Sequence, residues 1–130
     1  MTNENPPLTA ANIRYLLTID ALSENGSSVR SADVASALGI SRPSVHGMMN
    51  TLQALRLIQK KEYGRIQLTE LGREMASAYS LYYREVVSIF HGLLTDESEI
   101  DEAVYAILSL VSQESLSTLC EKHAQKKAWG

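Results

Sequence analysis

The residues whose types and spacing could do chemistry gather in the middle of the chain. Arg42, Ser44, His46, Gly47 and Asn50 follow Ser41 at the intervals of a single helix. Arg30 precedes that helix, and Lys60, Lys61, Tyr63 and Arg65 follow it. The chemistry that suits this set is recognition of duplex DNA. A guanidinium such as Arg42 can read guanine or hold a phosphate, and the Asn50 amide matches adenine. Ser44 is short and close to a helix N-terminus, which suits a phosphate oxygen better than a base edge. His46 is either a contact or a solvated side chain. Gly47 permits close backbone approach. Lys60, Lys61 and Arg65 are phosphate partners or, on the plainer reading, a solvated charged turn.

Charge supports the first reading. The formal net charge is −3, the wrong sign for a phosphate binder until it is divided along the chain. Residues 1–73 hold eight basic against six acidic side chains, and residues 74–130 four against nine. Within 27–66 the ratio is six to two. Positive charge is concentrated where phosphate neutralisation would need it.

Catalysis finds little support. There is no glycine-rich phosphate loop, no His-Glu-x-x-His and no Cys-x-x-Cys. Three histidines and one cysteine are scattered, and the adjacent carboxylates Asp101 and Glu102 point apart on a helix, where such acids serve the dipole. The chain is expected not to be an enzyme. Cys120 alone builds neither a disulfide framework nor a thiolate cage. The first twenty residues carry no apolar run behind a basic start, and the longest apolar stretch, 104–111, is too short to span a bilayer. A cytoplasmic protein without membrane contact is expected.

These residues need a scaffold, and its elements are legible. A first helix follows Pro6-Pro7, with Leu8 stapled over Thr9 as N-cap and Ile13, Leu16, Leu17, Ile19 and Leu22 inward, ended by Gly26. Val29 and Arg30 read as an extended link. Ser31 caps a second helix over 32–38, with Val34, Ala35 and Leu38 inward and Gly39 as stop. Ser41 caps a third, with Pro43 in its first turn and Val45, Met48, Met49, Leu52 and Leu55 apolar. Residues 58–61 and 65–68 read as two strands of a hairpin around Glu62-Tyr63-Gly64. Thr69 caps a long fourth helix to about Gly92, with Leu71, Met75, Tyr79, Tyr82, Val86, Ile89 and Phe90 at helical spacing. Asp96 and Glu99 form a capping-box pair opening a fifth helix to about Val111. Ser112 caps a sixth, running into a ragged tail over 126–130.

The order is that of a winged helix-turn-helix. Ala35 lets two helices approach, Gly39 turns the chain, Ile40 plugs the gap and Ser41 starts the reading helix. The basic hairpin is the wing. The fold class is mainly α with a small β wing: a DNA-binding unit over 1–73 followed by a helical dimerisation region over 74–130.

Further residues resemble a known family. Tyr15-Leu16-Leu17-Thr18-Ile19, Ser41-Arg42-Pro43-Ser44-Val45, Leu68-Thr69-Glu70-Leu71-Gly72-Arg73 and Ile100-Asp101-Glu102-Ala103 resemble the diphtheria-toxin-repressor and manganese-transport-regulator family over roughly residues 9–120, without the extra C-terminal domain of some members. The resemblance implies a dimeric transcriptional repressor set for its operator by a divalent metal. It also implies where the ligands belong: Arg14 and Leu17 on the first helix, Tyr83 and Val87 on the fourth, Val104, Ile107 and Leu108 on the fifth. Apart from the tyrosine, none is a ligand for Mn²⁺ or Fe²⁺. No metal or other cofactor is expected. An apolar plug of Ile100, Ala103, Val104, Ile107, Leu108 and Val111 would take the ion's place, four or five such side chains contributing on the order of 6–12 kcal/mol gross. A relocated site could use His91, Cys120, Glu121 and His123, against the plainer reading of a polar helix end.

The apolar faces of the fourth and fifth helices suit a homodimer interface, although half of that content could be core. Tyr79, Tyr82, Tyr83 and Tyr105 could line a small-molecule pocket, ranked below packing. Two other functions remain open: a ligand-responsive regulator of the multiple-antibiotic-resistance type, and a winged-helix protein-interaction module that does not bind DNA.

Overall fold

The computed structural model describes residues 7–129. Pro6 of the expected N-terminal break and Gly130 of the expected tail lie outside the described residues. Six helices and three strands run in the order α1 (Ala10–Leu22), β1 (Val29–Arg30), α2 (Ser31–Leu38), α3 (Arg42–Ala54), β2 (Ile58–Lys60), β3 (Arg65–Leu68), α4 (Glu70–His91), α5 (Glu97–Leu110) and α6 (Gln113–Trp129). Among the described residues no helix is long and apolar enough to cross a membrane.

The start of α1 is doubly tied. Thr9 Oγ1 accepts from the Asn12 amide N–H and Asn12 Oδ1 accepts from that of Thr9, each at 3.0 Å, while Leu8 is buried beside them. This reciprocal cap satisfies two orphan donors and fixes the entry of the helix. Ile13, Leu16 and Ile19 are fully buried. Leu22, expected inward, is exposed in the last turn, and the helix ends at Ser23 rather than at Gly26. Asn25 and Gly26 instead turn the chain beyond it at positive φ.

The expected link at Val29 and Arg30 is a third strand. The sheet order is β1-β3-β2, with Val29 opposite Ile66 and Arg30 opposite Arg65. Two residues are too few for an alternating pattern to reveal, yet they give the outer edge of β3 a partner. Ser31 is the first residue of α2 rather than its cap, and its hydroxyl donates to Gly64 O at 3.1 Å, across to the wing. Gly39 does stop α2, in the left-handed conformation. Ser41 caps α3 as expected, its Oγ accepting from Ser44 N.

The wing is shorter than expected, since β2 ends at Lys60. Lys61 N donates to Arg65 O at 2.7 Å, closing a turn in which Tyr63 and Gly64 both have positive φ. Thr69 then caps α4. At α5 the Asp96 half of the capping-box pair is present, its carboxylate accepting from Ser98 N and Glu99 N. The region read as a ragged tail remains helical to Trp129, begun by Ser112 Oγ accepting from Ser115 N.

One hydrophobic core runs from Leu8 to Cys120. It takes Val34 and Ala35 from α2, Val45, Met49 and Leu52 from α3, Ile58, Ile66 and Leu68 from the sheet, and Ile100, Val104 and Leu108 from α5. From α4 it takes Met75, Tyr79, Tyr82 and Val86. Much of the face of α4 offered as dimer surface is therefore core. Tyr79 and Tyr82 meet edge to face at 5.4 Å, and Tyr82 Oη lies 3.1 Å from Ser117 Oγ on α6.

Candidate nucleic-acid interface

Burying Val45, Met49 and Leu52 fixes which side of α3 faces out. At 100° per residue Gly47 and Asn50 lie toward the opposite side, Ser44 and His46 on the flanks, and Arg42 in the first turn ahead of Val45; all five are exposed. Ser41 is exposed too, but its hydroxyl is committed: it accepts from Ser44 N and donates to Ser44 Oγ at 3.0 Å. Its contribution is to start the helix. A Cβ added to Gly47 would meet nothing within 4 Å, so close backbone approach is open there.

The wing folds back toward the start of α3. Arg42, His46, Lys60, Lys61 and Arg65 surround a cleft of about 320 Å³ floored by Val45, Met49 and Ile66. On its other flank Arg30, Arg42, Tyr63 and Arg65 line an adjoining groove. Side chains separated by more than twenty positions in sequence thus converge as one cationic face beside the N-terminus of a helix, where unpaired backbone N–H groups already favour anions.

Two of these cations have internal partners. Arg65 donates through Nε to Ser28 Oγ at 2.6 Å and through Nη2 to Ser28 O at 2.9 Å, so it ties β3 to the segment before β1. Lys60 Nζ donates to Asn50 Oδ1, which links the reading helix to the wing. Tyr63, at the tip, is 92% exposed. Sequence reasoning missed Ser28, which orients Arg65, and Ser31, Ala32 and Gly64, which line the cleft. The serine was legible only as a cap, and the partnership with Gly64 depends on how the wing folds.

The positions at which the family resemblance puts metal ligands divide into two groups. Val104 and Leu108 are buried in the core, and Leu17, Val87 and Ile107 pack against it. Arg14 and Tyr83 do something that the apolar-plug reading lacked. They converge on Asp101 of α5: Arg14 Nη1 is 2.7 Å from Oδ2, and Tyr83 Oη donates to Oδ1 at 2.6 Å. The Arg14 guanidinium also lies 4.3 Å over the Tyr105 ring. Burial and the bond to Asp101 push the Tyr83 phenol far above its ordinary value, keeping it a donor. These residues do not fit a divalent cation. The cluster's one carboxylate has both oxygens engaged, and a fixed guanidinium repels a second positive charge.

The relocated site does not assemble either. His91 pairs with Glu97 and His123 with Glu85, on different parts of the helical region. Cys120 is buried, which raises its thiol pKa and leaves it inert. Among the described residues no group of three His, Cys, Asp or Glu side chains could hold a metal ion.

Comparison with known proteins agrees with the helix-turn-helix and wing. A model of the IclR helix-turn-helix domain matches residues 14–62, from α1 through the start of the wing. No curated protein matches the sequence. Among solved structures, the manganese regulator SloR aligns at TM-score 0.70 and 25% identity, covering 85% of this chain and 52% of its own. ScaR with bound Zn²⁺ aligns at 0.63 and 25%, with the same coverage. A hypothetical protein of Sulfolobus solfataricus, SSo2273, aligns at 0.65 and 23% over 88% of both chains. The chain spans about half the length of the metal regulators that it matches. The likeness to winged-helix metal regulators read from the sequence is thus present in the structure.

Proposed function

We propose that this chain, a DNA-binding transcriptional regulator of the winged-helix kind, acts as a homodimeric repressor that needs no metal ion. The observation that carries DNA binding is the convergence of Arg42, His46, Lys60, Lys61 and Arg65 around one cleft between α3 and the wing. In this reading α3 enters the major groove, with Arg42 and Asn50 at base edges and Ser44 at a phosphate. Gly47 lets the helix backbone approach. Arg30, Lys60, Lys61 and Arg65 neutralise the flanking backbone, and Tyr63 leads the wing tip toward the minor groove.

Dimerisation is supported by the apolar side chains that the core leaves over. Leu81, Leu93, Leu94 and Leu110 are exposed on or beside α4 and α5. A dimer would present two reading helices to a near-palindrome, with residues 1–73 reading and 74–130 pairing. Metal independence is supported by the Arg14–Asp101–Tyr83 cluster, whose donor set is already satisfied.

The test is selection of bound duplexes from a random pool, run in strong chelator. A palindromic motif with half-sites about one helical turn apart is expected. Binding that stays weak and flat across sequences would favour a protein-interaction module, and recovery only with added Mn²⁺ would overturn metal independence.

A further inference from the structure

Helix α1 makes a polar contact on each of two sides. On one, Asn12 is a buried polar side chain, 5% exposed, whose Nδ2 donates to Met48 Sδ of the reading helix α3 at 3.2 Å. Its Oδ1 is spent on the cap at Thr9, so the amide cannot rotate away without breaking both bonds. Two residues on, and so about 200° around the helix, Arg14 reaches the carboxylate of Asp101 on α5, which also accepts from Tyr83 on α4. Beside these contacts α1 is anchored in the core by Ile13 and Leu16, both fully buried. The reading helix is thereby connected to both long helices of the C-terminal half through one bar.

We propose that Arg14, Asp101 and Tyr83 are positioning residues for DNA recognition. Their cluster holds α1, and through Asn12–Met48 the reading helix, at a fixed angle to α4 and α5. An internal guanidinium does by ion pair and hydrogen bond what a bound cation could do by coordination, and it cannot be removed by a chelator. In a dimer built on the helical region, that angle sets the separation and tilt of the two reading heads. The planar guanidinium suits the role: it pairs with the carboxylate while stacking on Tyr105. This inference rests on the DNA-binding reading above.

The test compares wild type with Arg14→Met, Tyr83→Phe and the exchanged pair Arg14→Asp with Asp101→Arg, using the duplex selected for wild type. Arg14→Met is expected to weaken binding about tenfold, the scale of an ordinary coupling between separate sites. Tyr83→Phe, which keeps the ring and the fold, should weaken it several-fold. The salt dependence should keep the wild-type slope, since no phosphate contact is lost. Melting should change little, because an ion pair more than a third open to solvent on its Arg14 side contributes little to stability. The exchanged pair should recover part of the loss, which general damage would not. Wild-type affinity in both folded single variants would overturn the proposal, as would a reduced salt slope for Arg14→Met, which would make Arg14 a direct contact. Failure of wild type itself to bind any duplex would instead sink the DNA-binding reading, and this inference with it.

Discussion

Gly72, in the first turn of α4, lies so close to Leu57 that a Cβ in its place would overlap the Leu57 carbonyl oxygen. That oxygen also accepts from Thr69 N at 3.0 Å, while Thr69 Oγ1 donates to Arg56 O at 2.7 Å and accepts from Gly72 N at 2.9 Å. The end of the reading helix, the root of the wing and the start of α4 are knotted at this point. Gly72→Ala is expected to cost about 2–3 kcal/mol, because backbone rather than a flexible side chain must move. Equilibrium denaturation measures it; a cost below about 0.5 kcal/mol would mean that the junction yields easily.

Gly47 should behave in the opposite way. It sits inside α3 with open space where a Cβ would go, so Gly47→Ala should stabilise the fold by up to about 1 kcal/mol through helix propensity. If α3 approaches DNA by its backbone here, the same methyl should weaken duplex binding. Melting and fluorescence anisotropy on one variant would report opposite signs.

Arg42 and Arg65 separate contact from scaffolding. Arg42 is exposed, so Arg42→Ala should weaken binding, lower the salt slope by about one and leave folding within about 0.5 kcal/mol. Arg65→Ala also loses two bonds to Ser28 and should cost about 1–2 kcal/mol of stability besides affinity. Equal melting of the two variants would contradict the Ser28 tie.

Glu85 gives an acid-side dependence. Its hydrogen bond from His123, 2.6 Å away, holds its pKa below the ordinary 4.5. A carboxylate depressed in the folded state contributes fully above its unfolded pKa, and the contribution is lost as pH falls through the folded value. Wild-type stability should therefore decline below about pH 4.5, and Glu85→Gln should flatten part of that decline. Parallel pH profiles for the two would remove the pair from the account.

Leu110 and Leu93 are 82% and 72% exposed. If they belong to the subunit interface, the double substitution to lysine should produce monomers in sedimentation equilibrium with the protomer fold intact by circular dichroism. An unchanged sedimenting mass would place the interface elsewhere.

The reading of the helices from sequence succeeded where the signal is local. Thr9, Ser41 and Thr69 act as caps within three residues of the groups they satisfy, and the spacing of Val45, Met49 and Leu52 announces the buried side of α3. Val29-Arg30 was illegible as a strand because its partner, Ile66, is far along the chain and two residues carry no period. The tyrosines of α4 showed an apolar face but not its destination, since core and interface demand the same side chains.

What this sequence determined by itself is the order of the six helices and the wing hairpin, the placement of positive charge in its middle third and the residue types at the positions where the family resemblance puts metal ligands. Those follow from residue type and short-range spacing, on which propensity, capping and net charge depend directly. Only the tertiary structure decided that Arg14 and Tyr83 meet at Asp101, that Ser28 orients Arg65 and that Asn12 reaches Met48. Each contact joins groups on separate elements, and a directional bond forms only where packing of the whole core brings donor and acceptor within about 3 Å.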